Sequence, residues 1–289
     1  MEIEALLTRA EALLDRLQAI LPQPLSAPDW TQATAWRYRV RSGGRRALEP
    51  VRNPAAVSSD ILQHIEKQKE RVVQNTRQFV QGLPANNVLL TGARGTGKSS
   101  LVKSLLHDFA AQGLRLIEVD KSDLIDLPDI VDLLFERPEK FIIYCDDLSF
   151  EEGESGYKAL KSILDGSVAG SAPNVLIYAT GNRRHLLPET MKDNLGARLD
   201  DDGVLHPGEA IEEKISLSER FGLWVSFYPF AQEEYLHIVD RWLRQLGADD
   251  AQRRQAKSEA LTWALERGSR SGRVARQFAY DFIGRQVQK

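Results

Sequence analysis

Glycine, lysine and hydroxyl side chains crowd into one short stretch, Gly92-Ala93-Arg94-Gly95-Thr96-Gly97-Lys98-Ser99-Ser100. Glycines let the backbone curl so that successive N–H groups point inward at an anion. Lys98 is then placed to reach the β and γ phosphates of a nucleoside triphosphate, and Ser99 to offer its hydroxyl to Mg²⁺. A second group suits the same chemistry. The run Phe141, Ile142, Ile143, Tyr144, Cys145 ends in Asp146 and Asp147, where one carboxylate could hold Mg²⁺ while its neighbour polarises the attacking water. Asp146 is the candidate metal ligand beside Ser99, and Asp147 the candidate for the water. In isolation an Asp-Asp pair reads as a solvated strand end or a helix cap. After a glycine loop of this kind it reads as the acidic half of a nucleotide site.

Such groups work only if the chain delivers them to one place. The apolar run Val88, Leu89, Leu90 precedes the loop, and Leu101, Val102, Leu105, Leu106 and Phe109 follow it at helical spacing. The loop therefore joins a buried strand to a helix N-terminus, whose dipole adds to anion binding. The unbroken apolar run at 141–145 suits a parallel strand covered on both faces. Further apolar runs at 114–119, 175–179 and 223–227, with helical or loop segments between them, predict an α/β fold: a parallel sheet with helices on its faces. Ligands bind at the carboxyl ends of such strands, and both motifs fall there. A helical stretch is expected through Ile61, Leu62, Ile65, Val72, Val73 and Phe79. Beyond residue 231 the pattern is helical: Tyr235, Leu236, Val239, Trp242, Leu243 and Leu246 closed by Gly247, then Ala260, Leu261, Ala264 and Leu265 ended near Gly268, then Val274, Phe278, Phe282 and Ile283.

Composition narrows the class. The 289 residues, 42% hydrophobic and 27% charged, can bury a sizeable core. A formal net charge of −3 argues against a protein held to nucleic acid by bulk charge. With no apolar run of about eighteen residues and no leader pattern at the N-terminus, a cytoplasmic protein without membrane contact is expected. Cys145, the single cysteine, falls inside a predicted strand and reads as a small core hydrophobe. The histidines at 64, 107, 185, 206 and 237 show no metal-ligand spacing.

Ahead of the sheet, residues 1–21 place Ile3, Leu6, Leu7, Ala10, Leu13, Leu14, Leu17 and Leu21 on one helical face, ended by Pro22 and Pro24. That stripe could pack on its own protein or dock a protein partner or a second copy. Next comes a basic segment containing Arg37, Arg39, Arg41, Arg45, Arg46 and Arg52. Trp36, Tyr38 and Val40 alternate with three of these arginines, which predicts a half-buried strand leading to a Gly43-Gly44 turn. Arginines and aromatics of this kind could meet nucleic acid, but the acidity of the whole chain favours an ordinary strand with a solvated arginine face.

A glycine-loop α/β domain followed by three helices resembles the AAA+ ATPases, and the resemblance extends to particular positions. Val175-Leu176-Ile177-Tyr178-Ala179-Thr180 leads to Gly181-Asn182, which is similar to that family's first sensor; the resemblance implies that Asn182 orients the attacking water. Ser218-Glu219-Arg220-Phe221-Gly222 resembles the segment that offers an arginine to the neighbouring subunit's nucleotide. Arg220 is thus implied as an arginine finger in trans, within a homo-oligomer, with Arg198 in reserve. Ser271-Gly272-Arg273-Val274-Ala275-Arg276 resembles the second sensor, implying that Arg273 reaches the γ phosphate, with Arg276 one turn on. The implied organisation is an N-terminal extension of amphipathic helix and basic strand at 1–56, a P-loop nucleotide-binding domain at 57–229 with a three-layer parallel sheet, and a small all-helical lid at 230–289.

Within that class, Asn75-Thr76, Phe79, Gly82-Leu83-Pro84-Ala85-Asn86-Asn87, the glycine loop and Cys145-Asp146-Asp147-Leu148-Ser149-Phe150 resemble a bacterial family of AAA+-type ATP-binding proteins known only as a domain of unknown function, over about residues 30–289. Weaker motif similarity links the arginine segments to Holliday-junction branch-migration motors and to bacterial replication initiators and loaders. ATP rather than GTP rests on the resemblance. Two departures from the general AAA+ pattern matter: Asp147 stands where those ATPases usually have glutamate, and Lys121-Ser122-Asp123-Leu124 lacks the aromatic-glycine pore loop of protein unfoldases. The expectation is an Mg²⁺-dependent ATPase that remodels or loads something. A nucleotide-binding switch with negligible turnover, motivated by Asp147, and a DNA-associated motor component, motivated by the basic segment, stay open.

Overall fold

The computed structural model describes residues 25–41, 44–54, 58–150, 154–166, 172–182, 198–199, 205–206 and 217–286. The amphipathic helix expected at 1–21 lies outside the described residues. Strands β1 (Ala35–Arg41), β2 (Arg45–Pro50), β3 (Val88–Gly92), β4 (Leu114–Glu118), β5 (Lys140–Cys145) and β6 (Val175–Gly181) are followed by a short antiparallel pair, β7 (Arg198–Leu199) and β8 (Leu205–His206), and by β9 (Leu223–Phe227). The main sheet is seven-stranded in the order β2-β1-β4-β5-β6-β3-β9, parallel throughout except for the antiparallel edge pair β1–β2.

Alternation along each strand divides the interior into two cores. Val88, Leu90, Leu116, Ile142, Tyr144 and Tyr178 face one side; Leu89, Ile117, Ile143, Cys145, Ile177 and Ala179 face the other. Successive side chains of a strand point to opposite faces, so the unbroken apolar run of β5 is what a strand covered on both sides requires. Helices α1 (Glu66–Val80) and α2 (Lys98–Phe109) cover the first face, and α3 (Leu127–Leu134) and α4 (Ser155–Asp165) the second. Burial pushes the Cys145 thiol up to about 12, with Asp146 adding to the shift, and the residue acts as part of the core. Tyr178 is wholly buried, and its hydroxyl is met by Asn75 Nδ2 at 3.0 Å and Thr76 Oγ1 at 2.9 Å, which locks α1 to the middle of the sheet.

Two sequence expectations need correction here. The stretch expected to be helical from Ile61 begins its α-helix only at Glu66; Ser59–Ile61 forms a single 3₁₀ turn, and His64 takes the left-handed conformation, φ 59°. The basic strand, expected in an N-terminal extension, is hydrogen-bonded into the main sheet, β1 lying parallel to β4. Trp36 and Tyr38 are buried as the alternation predicts, whereas Val40 is exposed. Arginines of this hairpin are answered by carboxylates: Arg37 by Glu118 at 2.6 Å, Arg41 by Glu49, and Arg46 by Asp126 at 3.2 Å and by Asp129.

Past the sheet come α5 (Gln232–Gln245), α6 (Asp250–Glu266) and α7 (Gly272–Gln286). Asp249 caps α6 by accepting from the Gln252 N–H at 2.8 Å. Its inner face is the small-residue row Ala256, Ala260 and Ala264, while Leu265, expected on that face, is 82% exposed. A four-residue step keeps the alanines on one side of the helix, and their size admits Tyr235 of α5 and Phe278 of α7 into the same core. No helix among the described residues is long and apolar enough to cross a membrane.

At the end of β3, Gly92 has φ 123°, and a Cβ there would stand 1.9 Å from the carbonyl oxygen of Phe227 on β9. Gly92→Ala should therefore strain the backbone and separate two paired strands, with a loss of at least about 2 kcal/mol of stability. Urea unfolding followed by circular dichroism checks this; an unchanged midpoint would mean that β9 yields without cost.

Candidate functional site

The carboxyl ends of β3, β5 and β6 emerge side by side because β6 lies between the other two in the sheet. After β3 the chain makes a tight curl, with Gly95 at φ 74° and Gly97 at φ 102°, and enters α2 at Lys98. No side chain caps the N-terminus of α2, so its leading N–H groups are left for an anion. Thr96 Oγ1 donates to the Ala93 carbonyl at 2.8 Å and closes the curl. Lys98 Nζ donates to the carbonyls of Gly92 and Ala93, both at 2.7 Å, and stands 3.5 Å from Asn182 Oδ1. Its pKa is lowered, burial being the main cause, while Asp147 and Asp146 pull the other way. A phosphate in the curl would restore the charge balance that burial disturbs.

Asp146 accepts on Oδ1 from Ser99 Oγ at 2.7 Å and from Thr180 Oγ1 at 2.6 Å. Burial tends to raise its pKa, but these bonds outweigh it, and the carboxyl lies below the ordinary range. The same Thr180 oxygen accepts from the Asp147 N–H at 2.9 Å. Asp147 is in the left-handed region, φ 52°, which aspartate tolerates better than most residues. Its Oδ1 accepts from Asn182 Nδ2, and its Oδ2 faces Arg94 Nη2 at 3.3 Å. Lys98, Ser99, Asp146, Asp147 and Asn182, which the sequence singles out separately, thus come together in one cluster. The Ser99 hydroxyl and the Asp146 carboxylate are hard oxygen donors suited to Mg²⁺. No group of three or more His, Cys, Asp or Glu able to hold a metal occurs among the described residues. Mg²⁺ typically takes one or two protein carboxylates and completes its shell with phosphate and water.

Above the cluster opens a cavity of about 660 Å³, lined by the glycine loop from Arg94 to Ser100 and by residues of the lid, including Arg273 and Arg276. Its apolar wall consists of Ile61, Leu62, Ile65, Phe230, Ile238 and Trp242. Half of that wall comes from the segment expected to be helical, and the sequence reading misses it. The signal was present as an apolar cluster around His64, whose ring stacks on His237 at 5.6 Å. The lid touches the loop through its backbone as well: the Gly272 N–H donates to the Gly95 carbonyl at 2.9 Å, and a Cβ on Gly95 would meet Ser271 Oγ at 2.8 Å.

Thr180 is the other residue the sequence reading misses. Only strand alternation, which sets it on the same face as Tyr178, hints that its hydroxyl turns toward the acidic pair. Arg220 does not line the cavity; it is ion-paired with Asp165 at the end of α4. The side chain of Arg198 lies outside the described residues.

A seven-stranded, largely parallel sheet with a glycine loop at its switch point and a helical lid is the architecture of the AAA+ P-loop ATPases. The chain belongs to the family described as protein of unknown function (DUF815), whose model matches residues 31–286. Its fold is similar to that of Aeropyrum pernix ORC1 in complex with DNA (TM-score 0.54, 15% identity, covering 81% of this chain and 64% of that one). It is also similar to the FIGL-1 AAA domain in complex with ADP (0.50, 15%, 78% and 72%) and to a point mutant of Thermotoga maritima RuvB (0.50, 13%, 77% and 63%). The chain thus spans less than two thirds of the ORC1 and RuvB chains. No curated protein sequence matches it significantly.

The Thr180 hydroxyl gives a pH-dependent prediction. The depressed Asp146 pKa stabilises the fold fully above the unfolded value, about 4, and this contribution disappears as pH falls through the lower folded value. Thr180→Val should cost about 1–2 kcal/mol at pH 7. The gap should begin to narrow near pH ~4 and, once pH has fallen through the folded value, shrink to the part that comes from the lost Asp147 N–H bond. Urea titrations at pH 7 and pH 3 read this out, and an equal gap at both would argue against the charge-assisted bond.

Proposed function

We propose that this protein is an Mg²⁺-dependent ATPase that works as an oligomer and uses hydrolysis to remodel or load a substrate. The observation that carries the reading is the convergence of Lys98, Ser99, Asp146, Asp147 and Asn182 at one cavity beside an apolar wall. Main-chain N–H groups of residues 93–100 hold the phosphates, and Lys98 exchanges two carbonyl oxygens for phosphate oxygens. Ser99 and Asp146 would hold Mg²⁺, whose charge would neutralise that of the phosphates. Asn182 and Asp147 hold the attacking water; its proton passes to Asp147 as the new P–O bond forms and the bond to the β-phosphate oxygen breaks. The base rests on the wall built by Ile61, Leu62, Ile65 and Trp242, and Arg273 meets the γ phosphate from the lid.

Arg220 is assigned to the neighbouring subunit's site. An arginine that serves in trans must stand away from its own cavity, and the Asp165 partnership at the domain surface is compatible with that. Cations supplied this way contribute about 10³–10⁵ in rate in comparable systems. The DNA-associated reading is less favoured, because the hairpin arginines 37, 41 and 46 are already matched to carboxylates. A switch that turns over slowly draws support from Asp147, whose two oxygens are both engaged.

ATP turnover per subunit should rise with protein concentration, vanish in Lys98→Ala and in excess chelator, and fall by about 10³ or more in Arg220→Ala with ADP binding retained. A phosphate-release assay across a dilution series measures this. Turnover independent of concentration would remove the trans arginine; nucleotide binding without turnover would select the switch; no nucleotide binding at all would overturn the proposal.

A further inference from the structure

Arg94 is the long cationic side chain of the glycine loop that neither the phosphate cradle nor the metal site employs. Its backbone sits in the phosphate curl, and its guanidinium lines the cavity. Though largely exposed, it reaches across to Asp147, with Nη2 3.3 Å from Oδ2. Asn182 holds the other oxygen of that carboxylate. Asp147 is thereby clamped between a loop residue and a strand-end residue while its backbone is fixed by Thr180.

Resting on the nucleotide-binding reading, we propose that Arg94 is a γ-phosphate-sensing residue that holds Asp147 in check until a triphosphate arrives. The two acceptors compete. The Asp147 contact is a single, solvent-accessible one, the Arg94 side chain being 74% exposed and that of Asp147 57%, and such pairs are weak and easily exchanged. A terminal phosphate carries more charge and presents several oxygens to the planar fork of a guanidinium, which favours phosphate as its partner. When the γ phosphate draws Arg94 away, Oδ2 of Asp147 becomes available to the attacking water. ADP, lacking that phosphate, leaves the clamp in place. One residue therefore couples two events: it discriminates triphosphate from diphosphate and releases the carboxylate only in the triphosphate state. The shorter side chain of Asp147 suits the clamp, since it keeps the carboxylate close to the strand end where Arg94 and Asn182 meet it.

Calorimetric titration of the full chain with Mg²⁺–AMP-PNP and with Mg²⁺–ADP tests the proposal. Arg94→Gln should weaken AMP-PNP by about tenfold, the loss of one charge-assisted contact, while ADP affinity stays within about twofold. Arg94→Lys should fall between the two. Asp147→Asn removes the competing charge and should tighten AMP-PNP in the wild-type background, with no such gain in Arg94→Gln; this non-additivity is a readout that a purely structural role would not move. Equal losses for both nucleotides in Arg94→Gln, or an unchanged AMP-PNP to ADP ratio, would overturn the proposal and leave nucleotide binding standing. A wild type that binds neither nucleotide would overturn the underlying reading and this inference with it.

Discussion

Asp146 emerges, itself solvent-exposed, from a strand buried on both faces, and its partly desolvated carboxylate stays charged because hydrogen bonds outweigh that desolvation. Those bonds come from Ser99 on one side and Thr180 on the other. Because Thr180 also receives the Asp147 N–H, one hydroxyl joins the exit of β5 to the end of β6. Ser99 in turn joins that exit to the start of α2, and hence to the glycine loop. Strand order makes this possible, since β6 separates β5 from β3 and its last residues can bridge both neighbours. The left-handed Asp147 is tied to this bridge through its N–H.

Much of this could be read from the sequence, for identifiable reasons. Parallel strands covered on both faces leave unbroken apolar runs, so β3, β5, β6 and β9 are visible as such. A glycine curl needs particular residue types at fixed spacing, so the loop and its lysine are visible too. What escaped depends on partners far along the chain. The hairpin arginines look like a free basic surface until Glu118, Asp126 and Asp129 are folded against them. Helical spacing put Ala260 and Ala264 on the inner face of α6 correctly but placed Leu265 there too, whereas packing among three short helices runs along the alanine row and leaves Leu265 outside. Ile61 and Leu62 fit a helical period by position, but the turn at His64 directs them to the cavity instead. Thr180 is small and polar within an apolar strand and carries no motif of its own.

The lid is tied to the loop by main-chain atoms. The Gly272 N–H holds the Gly95 carbonyl, and at Gly95 a Cβ would collide with Ser271. Side-chain contacts between domains can slide as rotamers change; a backbone bond between a loop and a helix N-terminus shifts as a unit. The glycine loop and the start of α7, whose Phe278 and Phe282 lie in the core, are thus joined at one backbone bond.

Cys145 lies in the strand that delivers Asp146, in the core and with its thiol held protonated by burial. As the chain's single cysteine, it gives oxidants and alkylating agents no thiolate to attack while β5 is in place. Exposure of that thiol requires the loss of the same strand that positions the Asp146 carboxylate. Chemical inertness of the thiol and integrity of the acidic cluster are thus one property of one strand, so the thiol stays unreactive only as long as that strand keeps its place.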